Sequence, residues 1–169
     1  MAVFIDGRNV HYGLKQLGFP LHYDVLAFAA MLSEHSDLVS VNYYNAPPLQ
    51  KYCPEPGYGA QLRYYAHIEA QPLVRFRKGY LNDAGPKPVE KLVDVMLALD
   101  MALGAVRDEY DIAALVSADG DFEPAVHEVQ RAGKEVINYV FRYRQSFKLR
   151  LCCSEVRYLR EKHFQRADC

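Results

Sequence analysis

No stretch of the sequence approaches the ~18 consecutive apolar residues that span a bilayer. The N-terminal MAVFIDGRN lacks the basic start, long apolar middle and small-residue cleavage site of a secretory signal, and lipidation motifs are missing. These absences predict a soluble cytoplasmic protein with no membrane partner. Cysteine is scarce: it stands only at positions 53, 152, 153 and 169, never with C-x-x-C spacing. That argues against a disulfide framework or a structural zinc site, and reads the thiols as buried side chains. The six histidines are scattered, none at zinc-like spacing. A P-loop, a nucleophile elbow and a dinucleotide fingerprint are all absent. No cysteine follows a predicted strand, so a thiol nucleophile has little support. Internal repeats, low-complexity tracts and linkers are lacking as well, and 169 residues suit a single domain, 1–169.

The residues present are half hydrophobic and 24% charged, enough to build and wrap a globular core. A net charge of -1 conceals an asymmetry. Residues 1–141 balance at -6, with 12 Lys/Arg against 18 Asp/Glu, whereas 142–166 balance at +6, with 8 against 2. Basic stretches of this kind meet phosphates or serve as solvated helix faces.

Hydropathy patterning predicts alternating strands and helices. Strands are expected at 2–6, 38–44, 73–81, 112–117 and 135–141. Helices are expected at 9–17, 23–35, 59–70, 89–106 and 122–132, with a basic C-terminal helix at about 147–163. This alternation implies βαβ units and a parallel sheet covered by helices on both faces. Ligands of such sheets bind beyond the carboxyl ends of the strands, where the strand order reverses.

Acidic residues gather at those ends. Asp6-Gly7-Arg8-Asn9 follows the first strand, and Ser117-Ala118-Asp119-Gly120-Asp121 follows the fourth. Asn9 or Asp121 also suits a helix cap. Asp94 lies among Val93, Met96, Leu97 and Met101 in an apolar helix, where an ionised carboxylate needs a partner or a metal. Lys91 is its candidate partner at i−3. Asp100 and Asp108 read as solvent-side charges. Carboxylates converging from separate segments suit Mg²⁺ or Mn²⁺, hard cations that take oxygen ligands. Such centres handle phosphate esters, with Arg8 or Lys91 neutralising further charge.

These segments taken together, FIDGRNVHYGL (4–14), VNYYNAPP (41–48), KLVDVMLALDM (91–101), LVSADGDFEPAV (115–126) and GKEVINY (133–139), resemble the NYN-domain family, in the LabA-like branch of the PIN-like nucleases. The resemblance covers essentially the whole chain. It implies a PIN-like α/β/α sandwich around a five-stranded parallel sheet in the order 3-2-1-4-5. It also implies a divalent-metal site at Asp6, Asp94, Asp119 and Asp121 that hydrolyses RNA, with Asn9 and Ser117 positioning the phosphate or a water. Two positions depart from the family pattern. Leu92 stands where glycine is common, and Ser154 stands where an acidic residue is frequent. If the latter shapes the site, the activity is tuned differently here.

RNA is the expected partner. Arg75, Arg77 and Lys78, with Arg142 and Arg144 after the fifth strand, form a candidate path for its backbone, and nearby aromatics offer stacking surfaces. Tyrosines within 42–65 suit a homodimer contact or a core. Two other readings stand beside the ribonuclease. One is a non-catalytic RNA- or protein-binding module on the same fold. The other is a phosphatase or phosphoacceptor, against which Arg8 stands where a dehalogenase-type phosphatase needs a second Asp.

Overall fold

The apolar stretches become strands of a parallel sheet in the computed structural model, which describes residues 1–34 and 36–164. In chain order the main elements are β1 (Ala2–Asp6), α1 (Gly7–Leu17), α2 (Val25–Leu32), β2 (Ser40–Asn45), α3 (Gly57–Ala70) and β3 (Val74–Lys78). A short hairpin follows, β4 (Tyr80–Asn82) and β5 (Val89–Lys91), leading into α4 (Val93–Val106). The second half is β6 (Ile112–Val116), α5 (Glu123–Arg131), β7 (Glu135–Val140), α6 (Phe147–Cys152) and β8 (Glu155–Tyr158). The main sheet runs β3-β2-β1-β6-β7-β8, and every neighbouring pair is parallel. The chain builds outward from β1 to one edge, then restarts at β6 on its other side. The switch point therefore lies between β1 and β6, where Ile5 pairs with Val116.

Alternation along the strands divides the core. On one face Val3 and Ile5 pack with Leu14, Phe28 and Ile68 beneath α1, α2 and α3. On the other, Phe4 and Tyr44 pack with Leu97, Met101, Leu115 and Val126 beneath α4 and α5. Strands buried on both faces need no polar alternation, which is why β1 and β6 read as unbroken apolar runs. Tyr43, Tyr44, Tyr64 and Tyr65 are all buried, so these tyrosines of the 42–65 region belong to the core. Among the described residues no helix is long and apolar enough to cross a membrane. Cys53, Cys152 and Cys153 are half-buried free thiols, and Cys169 lies outside the described residues.

The structure corrects the sequence reading in several places. The sheet has six strands, because β8 extends the expected order by one. The helix expected at about 147–163 accordingly stops at Cys152. Ser146 caps its start, and Ser154 N–H donates to Val136 O (2.9 Å) as the chain turns to pair with β7. The backbone groups on the open edge of β7 are satisfied by that pairing, which outweighs the helical pattern of the local sequence. The strand expected to reach residue 81 ends at Lys78, since Gly79 lies flush against the Lys91 carbonyl with no room for a Cβ. Finally, the helix expected from 89 begins at Val93, because Val89–Lys91 pairs antiparallel with Tyr80–Asn82. The helix expected at 23–35 is Val25–Leu32, capped by Asp24, and His35 lies outside the described residues.

Leu92, between that hairpin and α4, has φ +74°, in the left-handed region. Glycine enters this region without the Cβ clash that costs other residues about 1–2 kcal/mol. The position thus favours glycine for a backbone reason. Its side chain is 51% exposed, so truncation forfeits little burial. Leu92→Gly is expected to stabilise the fold by about 1 kcal/mol, the relief of strain exceeding the added chain entropy. Urea unfolding midpoints of the two proteins test this; a lower midpoint in the variant would refute it.

Candidate active site

Asp6 ends β1 and caps α1: its Oδ1 accepts from Asn9 N–H at 2.9 Å. Its Oδ2 accepts from the Ser117 hydroxyl, also at 2.9 Å. Ser117 Oγ in turn accepts from Asp119 N–H (3.1 Å), and Asp119 Oδ1 accepts from Asp121 N–H (2.9 Å). One chain of hydrogen bonds therefore ties the ends of the two central strands together. Asn138 on β7 fixes it from below, donating from Nδ2 to Leu115 O (3.1 Å) and Ser117 O (2.8 Å). Gly7 is required for the close packing here, since a Cβ would sit 2.6 Å from the Tyr43 hydroxyl and 2.8 Å from Asn45 Nδ2.

Asp6 is only 6% exposed. Burial pushes its carboxyl up to about 6, against two hydrogen bonds that hold it down, and the Asp94 and Glu90 carboxylates push it further up. Asp94, in the first turn of α4, is raised by partial desolvation and then by Asp119 and Asp121, while Arg8 lowers it. Glu90 is raised by desolvation; a hydrogen bond from Ala46 N–H (3.2 Å) and the Arg8 charge oppose the shift. These carboxylates are thus neighbours that repel one another. None forms an ion pair among the described residues, and the Arg8 charge acts on Glu90 and Asp94.

The structure therefore gathers Asp6, Asp94, Asp119 and Asp121 with Asn9, Ser117 and Arg8. It adds Glu90, which the sequence reading placed on a helix. No local signal marks it, since a proline at 88 suits a helix start as well as a strand; pairing with Tyr80–Asn82 decides it. Of the other basic residues, Lys91, Arg75, Arg77 and Lys78 lie elsewhere, whereas Arg142 and Arg144 share the carboxyl end of the sheet with the acidic cluster. Lys91 sits on β5 outside α4, lining the outer groove of the hairpin. Arg77 pairs with Asp100, Nε to Oδ2 at 3.0 Å, and the Tyr44 hydroxyl donates to the same oxygen at 2.9 Å. Asp100 is accordingly a half-buried structural acceptor, correcting its reading as a solvent-side charge. Arg75 lines a cavity with Asp100 and Arg107 on the α4 side of the sheet, and Lys78 pairs with Glu69. Arg142 and Arg144 occupy the turn after β7, anchored to α1 where the Tyr143 hydroxyl donates to Gly13 O (2.6 Å). Ser154 lies at the amino end of β8, opposite the acidic end, so the residue type there does not touch this site.

No three acidic, histidine or cysteine side chains among the described residues close on a common point as a finished metal cage. The donor chemistry still fits a hard cation. Mg²⁺ keeps several waters and needs few protein carboxylates, and an excess of unpaired negative charge at one strand end is what such an ion neutralises.

The fold has a solved counterpart in the crystal structure of a protein of unknown function from Vibrio parahaemolyticus. The two superpose with a TM-score of 0.74 at 22% identity, covering 96% of this chain and 93% of that one. That likeness concerns the fold alone. No match was found among curated proteins. The profile of the NYN domain matches residues 1–160, a span that carries every element of the sheet and every carboxylate of the acidic cluster. By that match the chain belongs to the NYN-domain family, whose PIN-like fold is that of nucleases.

Proposed function

We propose that this protein is a divalent-cation-dependent endoribonuclease of the LabA-like branch, hydrolysing RNA phosphodiester bonds at the acidic end of β1 and β6. One observation carries the reading: carboxylates from β1, β5, α4 and the loop after β6 stand together without ion pairs among the described residues, and Asp6, Glu90 and Asp94 are held above the ordinary carboxylate range by desolvation and then by neighbouring negative charge. Asp6, Asp119 and Asp94 would hold Mg²⁺ or Mn²⁺, with Asp121 beside them. A bound ion of this kind polarises the phosphate and lowers the pKa of water. The chain's own residues set the geometry. The Ser117 hydroxyl and the Asn9 amide lock both oxygens of Asp6, so the carboxylate needs little reordering. Arg8, exposed at the start of α1, is placed to neutralise a phosphate oxygen. The motif at 91–101 supports the LabA-like placement, and the free thiols Cys152 and Cys153 suit the reducing cytoplasm.

The test is cleavage of end-labelled single-stranded and structured RNA with Mg²⁺, with Mn²⁺ and with chelator. The expected result is metal-dependent cleavage by the wild type and none by the Asp6→Asn/Asp119→Asn double variant. A second reading, a binding module that turns nothing over, is favoured by the absence of a closed metal cage among the described residues. Intact RNA in every lane from folded wild type, together with RNA binding in chelator, would establish that reading instead.

A further inference from the structure

A cleft of about 580 Å³ opens beside the acidic cluster, between α1, the loop after β2, α3 and the β4–β5 hairpin. Gly7 and Glu90 belong to its lining, so it shares a border with the carboxylates. Its size is that of a site for a nucleotide-sized ligand. Aromatic rings dominate the interior: Tyr23, Tyr43, Tyr64 and Tyr65 form buried walls, and Tyr12 and Tyr52 stand at 46% and 48% exposure. Face-to-face stacking already occurs at this wall, where His22 lies on Tyr64 with centroids 4.5 Å apart and planes at 14°.

Polar groups converge on the same space. Asn45 and Gln61 bring amides, each able to donate and accept. Tyr23 is 1% exposed, and its hydroxyl has no hydrogen-bond partner among the described residues. A buried hydroxyl without a partner is destabilising, and a ligand group that bonds it would remove that cost. Arg8, Lys15 and Lys87 stand in the same lining, and none of them forms an ion pair among the described residues. Aromatic faces, amides able to bond a base edge and cations suited to phosphates are the equipment for one unpaired nucleotide.

We propose that this cleft receives an unpaired base of the RNA, next to the phosphate held at Asp6. The proposal rests on RNA being the substrate and adds a requirement to it: the strand must offer a base free of its partner. A duplex, whose bases are stacked and paired, cannot fill the cleft without unpairing. The base stacks on Tyr52 or Tyr12 and reaches Asn45, Gln61 and the Tyr23 hydroxyl with its edge.

Binding is measured in chelator by fluorescence anisotropy, using labelled RNA of about twelve nucleotides, single-stranded or annealed to its complement. A 2-aminopurine placed within the strand reports stacking by its quenching. Single-stranded RNA is expected to bind more tightly than duplex. Tyr52→Ala and Tyr12→Ala, both exposed and safe for folding, are each expected to weaken it about tenfold and to relieve the quenching. Tyr23→Phe, which keeps the ring, is expected to weaken it about two- to fivefold. Equal affinity for duplex and single strand, or unchanged affinity and quenching in both alanine variants, would overturn the proposal. Cleavage lanes separate this from the nuclease reading. Wild type that cuts RNA while the tyrosine variants bind normally refutes the cleft alone. Tyrosine-dependent binding without cleavage in any metal supports the cleft and refutes the nuclease.

Discussion

Asp6→Asn is expected to lower RNA cleavage by about a thousandfold or more while making the cation-free protein more stable. The activity loss follows from removing the most buried carboxylate of the cluster, since stabilisation by a bound cation is worth several kcal/mol at a transferring phosphate. The gain in stability follows from the same burial. Asparagine keeps the hydrogen bond to Asn9 N–H and remains a good N-cap. The Ser117 hydroxyl, whose O–H now donates to Oδ2, can instead accept at its oxygen from the new amide. What disappears is a charge that the native state holds at a cost.

The sign of the pH dependence follows. In the unfolded chain Asp6 has its ordinary value of 3.8, and in the fold it stands at about 6. Below 3.8 both states are protonated and the group contributes nothing. As pH rises from there to about 6 the unfolded chain releases its proton first, so native stability falls. Above 6 the whole cost is in place, about 3 kcal/mol. The difference in unfolding free energy between Asp6→Asn and wild type in chelator is therefore expected to grow from near zero at pH 4 to a maximum above pH 6. Urea titrations across that range measure it. Added Mg²⁺ or Mn²⁺ is expected to shrink the gap by stabilising the wild type alone. A variant less stable than wild type throughout would mean that the Asp6 charge is already compensated by protein groups.

The parts of the fold that were legible in the sequence are those where local pattern and tertiary need agree. AVFID and IAALV are apolar throughout because both faces of the central strands are buried, and the acids that follow them mark strand ends at the switch point. The segments that misled are those decided by distant partners. Phe147–Cys152 and Glu155–Tyr158 form one basic, amphipathic stretch in sequence, and only the open edge of β7 tells the second half to extend. Arg77 reads as a phosphate contact until Asp100, carried in by α4, takes it up. The tyrosines within 42–65 carry no periodic signal that separates a dimer surface from a core. Leu92 is the reverse case: its departure from glycine was visible at once, and its meaning, a left-handed residue entering α4, needed the backbone.

Glu90 is the sharpest test of what the hairpin contributes. Glu90→Gln is expected to raise the Mg²⁺ concentration needed for half-maximal cleavage by about 10- to 100-fold, the range typical of groups that support metal ligands. The substitution isolates charge from structure. Glutamine still accepts the hydrogen bond from Ala46 N–H, so the β5 strand keeps its tie to the end of β2. The carboxylate that acts on Asp6 is lost, and with it part of the negative field that draws a cation to this end of the sheet. Two measurements distinguish the roles open to this residue. Titrating Mg²⁺ in the cleavage assay reports the field, and the unfolding midpoint in chelator reports the tie. A displaced Mg²⁺ requirement with an unchanged or raised midpoint assigns Glu90 to the acidic centre. An unchanged Mg²⁺ requirement would reduce it to a latch for the hairpin, leaving the centre to β1, α4 and the loop after β6.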